Sequence, residues 1–191
     1  MVRDYNFVHL SSGDLLRNQI REETRAGLEA KRYVDDGKLV PDSFMVQLFM
    51  SEVEKLKQNW LLDGFPRTVG QAKALDARQD IDIVINLDVP FETIVERIQK
   101  RLVHEPSGRT YHTEFHPPQN HGIDDITGEP LTQRSDDRPE AVRERLKVYE
   151  ALTTPVLQYY KKQDKLERFS GTESNEIWPR VKSLLDTITK S

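Results

Sequence analysis

Apolar residues along the chain fall into two periodicities. Short unbroken runs at Phe7–Leu10, Trp60–Leu62, Ile83–Val89 and Leu166–Phe169 have the length and composition of buried strands. Between them the spacing becomes helical. Met45, Leu48, Phe49, Val53 and Leu56 recur on one face after the Pro41-Asp42 start signal. Ile94, Val95, Ile98 and Leu102 form a second face after Pro90. Val142, Leu146, Tyr149 and Leu152 form a third, opened by Asp137 and Pro139 and expected to bend or break at Pro155. Strands alternating with helices predict an α/β domain with a largely parallel sheet.

Residues 104–137 interrupt this rhythm. They are rich in Pro, Gly, His and Asp, with isolated aromatics and no long apolar run. A stretch of that length is more than a connection between neighbouring elements, so it predicts a functional insertion or lid. The expected organisation is a core of 1–103 and 138–191 with a lid at 104–137.

Composition narrows the class. The 191 residues are 36% hydrophobic and 31% charged, enough apolar content for one domain with a real core. A net charge of −4 gives no reason to expect nucleic-acid or membrane-surface binding, and no apolar stretch has the length of a membrane span. Anionic ligands would need local basic clusters. The sequence has no cysteine, which removes disulfides, thiolate catalysis and cysteine-ligated zinc, and suits an intracellular enzyme.

The stretch "WLLDGFPRTVGQ" carries the most chemistry. Asp63 stands at the C-terminal end of a predicted strand, the edge that faces ligands in parallel sheets, where a carboxylate can organise a magnesium ion and its waters. Gly64 and Pro66 set a tight turn, Arg67 supplies a planar fork for phosphate, and Gln71 offers an amide to a base edge. Arg97 and Arg101, four apart, share one helix face.

That combination resembles the signature of the adenylate kinase family of nucleoside monophosphate kinases. The resemblance continues through "HLSSGDLLR", "GKLVPD", "ERIQKRLVHEPSGRTYH", "TGEPLTQRSDD", "RERLKVYEALTTPVLQYY" and "FSGTESNEIWP", covering about Phe7 to Trp178. The long lid and the last of these stretches look most like the mitochondrial GTP:AMP phosphotransferase branch. The resemblance implies magnesium-dependent phosphoryl transfer from GTP or another NTP, ATP included, to AMP by a monomer, in the mitochondrial matrix or alternatively the cytoplasm. In that pattern a monophosphate-binding region at about 11–58 would hold the acceptor, AMP, through Ser12 and Arg17. Lys38, Leu39 and Val40 would frame its base, and Gly64, Phe65, Pro66, Arg67 and Gln71 would complete the pocket. Arg97, Arg101, Arg134 and Arg145 would surround the transferring phosphoryl group, with Arg134 and Arg145 also on the AMP side and Asp63 near the magnesium. Arg101, Thr110, Tyr111, Thr172 and Glu173 would serve the NTP. His104, Ser107, Asp124 and Thr127 repeat the paired spacing of a zinc ribbon, and the resemblance implies a hydrogen-bonded polar quartet there instead of zinc. Asp136 and Asp137 would help lock the closed lid.

The family's P-loop, Gly-x-x-x-x-Gly-Lys-Ser/Thr, does not occur in these residues; the one Gly-Lys pair, Gly37-Lys38, precedes Leu39. The resemblance implies a P-loop nucleoside monophosphate kinase fold in which the first, central strand is absent from this chain. Residues 2–6 resemble the tail of the helix after the P-loop, and about two dozen residues of strand, loop and helix would be lacking. Weak donor binding and low stability are the expected consequences. The alternative is a catalytically impaired AMP-binding or regulatory short form.

Overall fold

The computed structural model describes residues 1–35, 40–134 and 137–189. Two pairs of parallel strands form its centre. β1 (Val8–Ser11) runs beside β2 (Trp60–Asp63), with Val8 opposite Trp60 and Ser11 opposite Asp63. β3 (Val84–Asp88) runs beside a strand at Leu166–Ser170, with Val84 opposite Leu166. Among the described residues β2 and β3 are not hydrogen-bonded to one another.

Parallel strands must be joined by crossovers, and helices fill that role here. The chain enters through α1 (Val2–Tyr5). Between β1 and β2 lie α2 (Ser12–Arg21), α3 (Arg25–Asp35) and α4 (Asp42–Val53). Between β2 and β3 lies α5 (Val69–Asp76), and α6 (Phe91–Gln99) follows β3. An antiparallel hairpin then projects from the core: β4 (Arg101–His104) pairs with β5 (Arg109–His112). The chain returns through α7 (Pro139–Val148), a π-helical turn at Tyr149–Thr153 and α8 (Thr154–Lys161), which lead to the Leu166–Ser170 strand, β6. The last helix is α9 (Ser174–Ile188).

The main core lies beside β1–β2. Helix α4 is apolar nearly all round and buries Met45, Val46, Phe49, Met50 and Val53, against Leu10, Ala72, Leu75, Val156 and Tyr160. Phe49 stacks on Phe65 with 4.2 Å between centroids and 11° between planes, which ties α4 to the loop after β2. Asp76 accepts hydrogen bonds from Tyr159 (2.9 Å), Tyr160 (3.0 Å) and Gln163 (3.1 Å), joining the end of α5 to α8. A second core beside β3–β6 contains Phe169, Ile177, Val181 and Leu185, with Tyr5 and Phe7 packed against it.

Several expectations shift. The α6 pattern was predicted to carry its face through Leu102, but the helix stops at Gln99 and Leu102 lies in β4. Its side chain therefore follows strand alternation. Helix α7 starts at Pro139 with Arg138, not Asp137, as its N-cap; proline suits the first position because its missing N–H would be unpaired there. The expected interruption before Pro155 takes the form of the π-helical turn, since that residue has no N–H to give the i−4 carbonyl. The wider turn changes the helical phase, and Leu152 ends 41% exposed although the spacing put it on the apolar face. The hairpin starts at Arg101, before residue 104.

Candidate functional site

Both β1 and β2 end at one edge, and the candidate site grows from that edge. Ser11 caps α2, accepting from the Asp14 N–H at 3.4 Å, so the chain turns from strand into helix at Ser12. Ser12 is buried and its hydroxyl donates to the Gly64 carbonyl at 3.0 Å. Gly64 has φ of 71°, and a Cβ there would stand 2.7 Å from Ser12 Oγ. Only glycine fits that backbone and that space. Phe65 is buried against Phe49, and Pro66 follows it through a cis peptide bond.

Arg67 folds back over this turn. Its Nε donates to the Gly64 carbonyl (2.7 Å) and its Nη2 to Ser12 Oγ (3.3 Å). Its backbone N–H donates to Gln71 Oε1 at 2.7 Å, and Gln71 Nε2 donates to Asp42 Oδ1 at 2.8 Å. Gln71 is thus 4% exposed with its amide engaged at both ends. Asp63 lies beside this turn with His9 Nε2 3.2 Å from its Oδ2.

Other arginines converge on the same place. Crowding by protein around the guanidinium and then the positive charge of Arg145 hold Arg67 below the usual arginine range, with Arg17 adding to the effect and Asp63 opposing it. Arg134 is lowered in the same way, by desolvation and by Arg17 and Arg101. In both cases neighbouring guanidiniums add to the larger effect of desolvation, so these arginines share one region of the molecule. Two are braced by carboxylates. Asp14 holds Arg17 in an ion pair, and Asp137 holds Arg101 through Nε (3.0 Å) and Nη2 (2.5 Å).

A cavity of about 250 Å³ opens on the other side of α6, lined by Thr93, Glu96, Arg97, Lys100, His112, Glu114, Phe115, Thr172 and Glu173. Arg97 stacks over the Phe115 ring at 5.1 Å, and the His112 ring lies 4.7 Å from the same ring. His112 Nδ1 accepts from the backbone N–H groups of Glu114 and Phe115, both at 3.1 Å, so the neutral ring carries its proton on Nε2. Burial lowers the His112 pKa below its ordinary value, which favours that neutral form. His112 Nε2 and Arg97 Nε are buried without a hydrogen-bond partner among the described residues.

The hairpin insertion is organised by polar groups. Asp124 is 1% exposed and accepts from Arg109 Nε (2.9 Å) and Nη2 (2.7 Å), Tyr111 OH (3.0 Å), and the N–H (2.8 Å) and hydroxyl (2.9 Å) of Thr127. The Arg109 hydrogen bonds hold its carboxyl far below the usual carboxylate range, against the opposing effect of burial. His104 Nδ1 meets Ser107 Oγ at 2.7 Å, and its Nε2 meets Glu129 Oε2 at 2.5 Å and Thr127 Oγ1 at 3.3 Å.

The predicted residues therefore fall into groups. Ser12, Arg17, Gly64, Phe65, Pro66, Arg67 and Gln71 come together at the strand edge, with Arg134 and Arg145 within electrostatic reach. Val40 is buried in the main core. Lys38, Leu39 and Asp136 lie outside the described residues. Arg97 is with Thr172 and Glu173 at the cavity. Tyr111 is not at that cavity: it is buried with its hydroxyl in the Asp124 network, while Thr110 sits on β5 opposite Val103. His104, Ser107, Asp124 and Thr127 do meet, joined by Arg109 and Glu129, which sequence spacing did not single out. Phe115 was also missed; a strand ending in a Tyr-His-x-x-Phe pattern was its signal. Asp42 was read as a helix start and as the last residue of the "GKLVPD" stretch, without a role of its own.

Comparison with known proteins bears on this arrangement. The adenylate kinase family model matches residues 1–165. The chain is also 42% identical over 185 residues to the Drosophila melanogaster protein named "GTP:AMP phosphotransferase, mitochondrial", a match covering 96% of this chain and 86% of that protein. With the arginine-lined turn after β2 and the hairpin insertion inside an α/β core, these matches make the chain a member of the adenylate kinase family, and so a phosphotransferase.

Proposed function

We propose that the chain takes part in transfer of the γ-phosphoryl group of GTP, or another NTP such as ATP, to AMP. The observation that carries this reading is geometric: Ser12, Arg17 and Arg67 gather around the ends of β1 and β2, with Arg134, Arg101 and Arg145 within electrostatic reach of them. Phosphoryl transfer asks a protein mainly for positioning and charge stabilisation, and this cluster supplies both. AMP would dock over Ser12, Arg17 and the Gly64–Gln71 turn. The insertion would act as a lid, bringing Arg134 over the site and excluding water that competes as acceptor.

The cavity beside Arg97 suits the donor base. A purine entering there would lie between Phe115 and the Thr172–Glu173 loop. The name of the Drosophila relative supports GTP as the donor. That name is also the basis for proposing the mitochondrial matrix, with the cytoplasm as alternative.

Magnesium would arrive with the nucleotide. Asp63 fits a role near it: a hard carboxylate at the strand end whose side chain is 65% exposed. The ion would neutralise phosphate charge, while Asp63 would hold its waters and Arg67 the acceptor phosphate.

A second reading is AMP binding with little turnover. A coupled assay with GTP, ATP and ITP against AMP, paired with calorimetry for AMP alone, decides between the two. Turnover with GTP exceeding ATP supports transfer. AMP binding without turnover supports the second reading, and no AMP binding removes both.

A further inference from the structure

The acceptor-side turn is held from outside by a residue on another helix. We infer that Asp42, the first residue of α4, is a positioning residue that sets the orientation of the Gln71 amide and through it the backbone of Arg67. A carboxylate can only accept. Asp42 Oδ1 takes the Gln71 Nε2 hydrogen at 2.8 Å, which forces Gln71 Oε1 to the opposite side, where it accepts the Arg67 N–H at 2.7 Å. Asp42 Oδ2 takes the Thr68 hydroxyl hydrogen at 2.6 Å. That leaves the Thr68 oxygen lone pairs toward the Gln71 N–H, 3.1 Å away, as the N-cap of α5. One carboxylate thereby fixes an amide flip and a hydroxyl rotor together.

Gly70 supplies an independent sign of the same arrangement. A Cβ on Gly70 would stand 2.9 Å from Asp42 Oδ2. The carboxylate fits against α5 because that position has no side chain. Phe49, about two turns further along α4, stacks on Phe65 in the turn. Movement of α4 and placement of Arg67 are thus mechanically linked, and Asp42 is the polar half of the link.

The proposal rests on the acceptor reading for its function, while its geometry can be tested separately. In the full chain, Asp42→Ala should raise the Kd for AMP about tenfold, and Asp42→Asn, which keeps an acceptor for Gln71, should recover part of the loss. Asp42→Ala made in a Gln71→Ala background should add less than twofold, because the two act through one another. Gly70→Ala should weaken AMP binding without lowering the melting temperature, since alanine is the better helix former and only the carboxylate is displaced. Hydrogen exchange at the Arg67 amide should speed up in Asp42→Ala and Gly70→Ala. Multiplicative losses in the double variant, or unchanged Arg67 exchange in both single variants, would overturn the proposal. Failure of the unmutated protein to bind AMP would instead overturn the acceptor reading, with the Arg67 exchange still reporting on Asp42.

Discussion

Asp137 holds Arg101 in a two-pronged ion pair, with the carboxylate side chain fully buried and the guanidinium at the first residue of β4. The pair fastens the exit of the insertion to its entrance. It also fixes the orientation of the Arg101 guanidinium, which lies within electrostatic reach of Arg134.

Removing one partner of such a pair leaves the other uncompensated. Arg101→Ala should cost about 3–5 kcal/mol in urea unfolding, because the buried Asp137 charge loses its counterion. Arg101→Lys should recover only part of this, since an ammonium cannot reproduce the fork.

Asp124 should make the insertion resistant to acid. Its depressed pKa means that its stabilising contribution is present above the ordinary aspartate range and is lost only as pH falls through the depressed value. Limited proteolysis between residues 104 and 134 should stay slow at pH 4 in the native protein and become fast in Asp124→Ala at neutral pH. Dialysis against a metal chelator should leave the native pattern unchanged, because hydrogen bonds fill the positions that the zinc-ribbon spacing picks out.

Alkali should act through tyrosines. Burial and the Asp186 hydrogen bond push the Tyr5 hydroxyl up to about 12. A raised folded-state pKa contributes stability that is complete below the unfolded value near 10 and disappears as pH climbs through 12. Tyr160 and Tyr159, beside Asp76, are raised as well. Urea midpoints measured from pH 9 to 12 should fall, and Tyr5→Phe should flatten part of that fall.

Gly64→Ala should be the most damaging small change at the site. The new methyl group meets Ser12 Oγ at 2.7 Å on a backbone with φ of 71°. Calorimetry should find AMP binding lost, with stability reduced by about 1–3 kcal/mol from the strained residue. An alanine variant that binds AMP normally would show that the turn does not contact the acceptor.

The strand runs, helix α4 and the "DGFPR" turn were legible in the chain because each rests on local rules. Alternation between apolar runs and helical spacing marks β1, β2, β3, β6 and α4, and turn chemistry marks Gly64. The phase of Leu152 was not legible, since a π-helical turn depends on where Pro155 falls relative to neighbours such as Asn86, which Tyr149 contacts. Nor was the assignment of Arg97 and Arg101 to opposite tasks. Four-residue spacing puts both on one face if the helix continues, but α6 ends at Gln99 and sends Arg101 into a strand toward Asp137.

The sequence by itself determined the residue types available for phosphate, the order of the elements and the family resemblance. Tertiary structure decided which polar groups spend themselves on one another. Gln71, predicted to offer its amide to a base, is held between Asp42 and Arg67, and Tyr111, predicted beside a nucleoside, binds Asp124 within the insertion. Those partners lie 29 and 13 residues away along the chain. The physical reason is that a buried polar group must find a partner wherever the fold brings one, and sequence spacing records only the partners nearby.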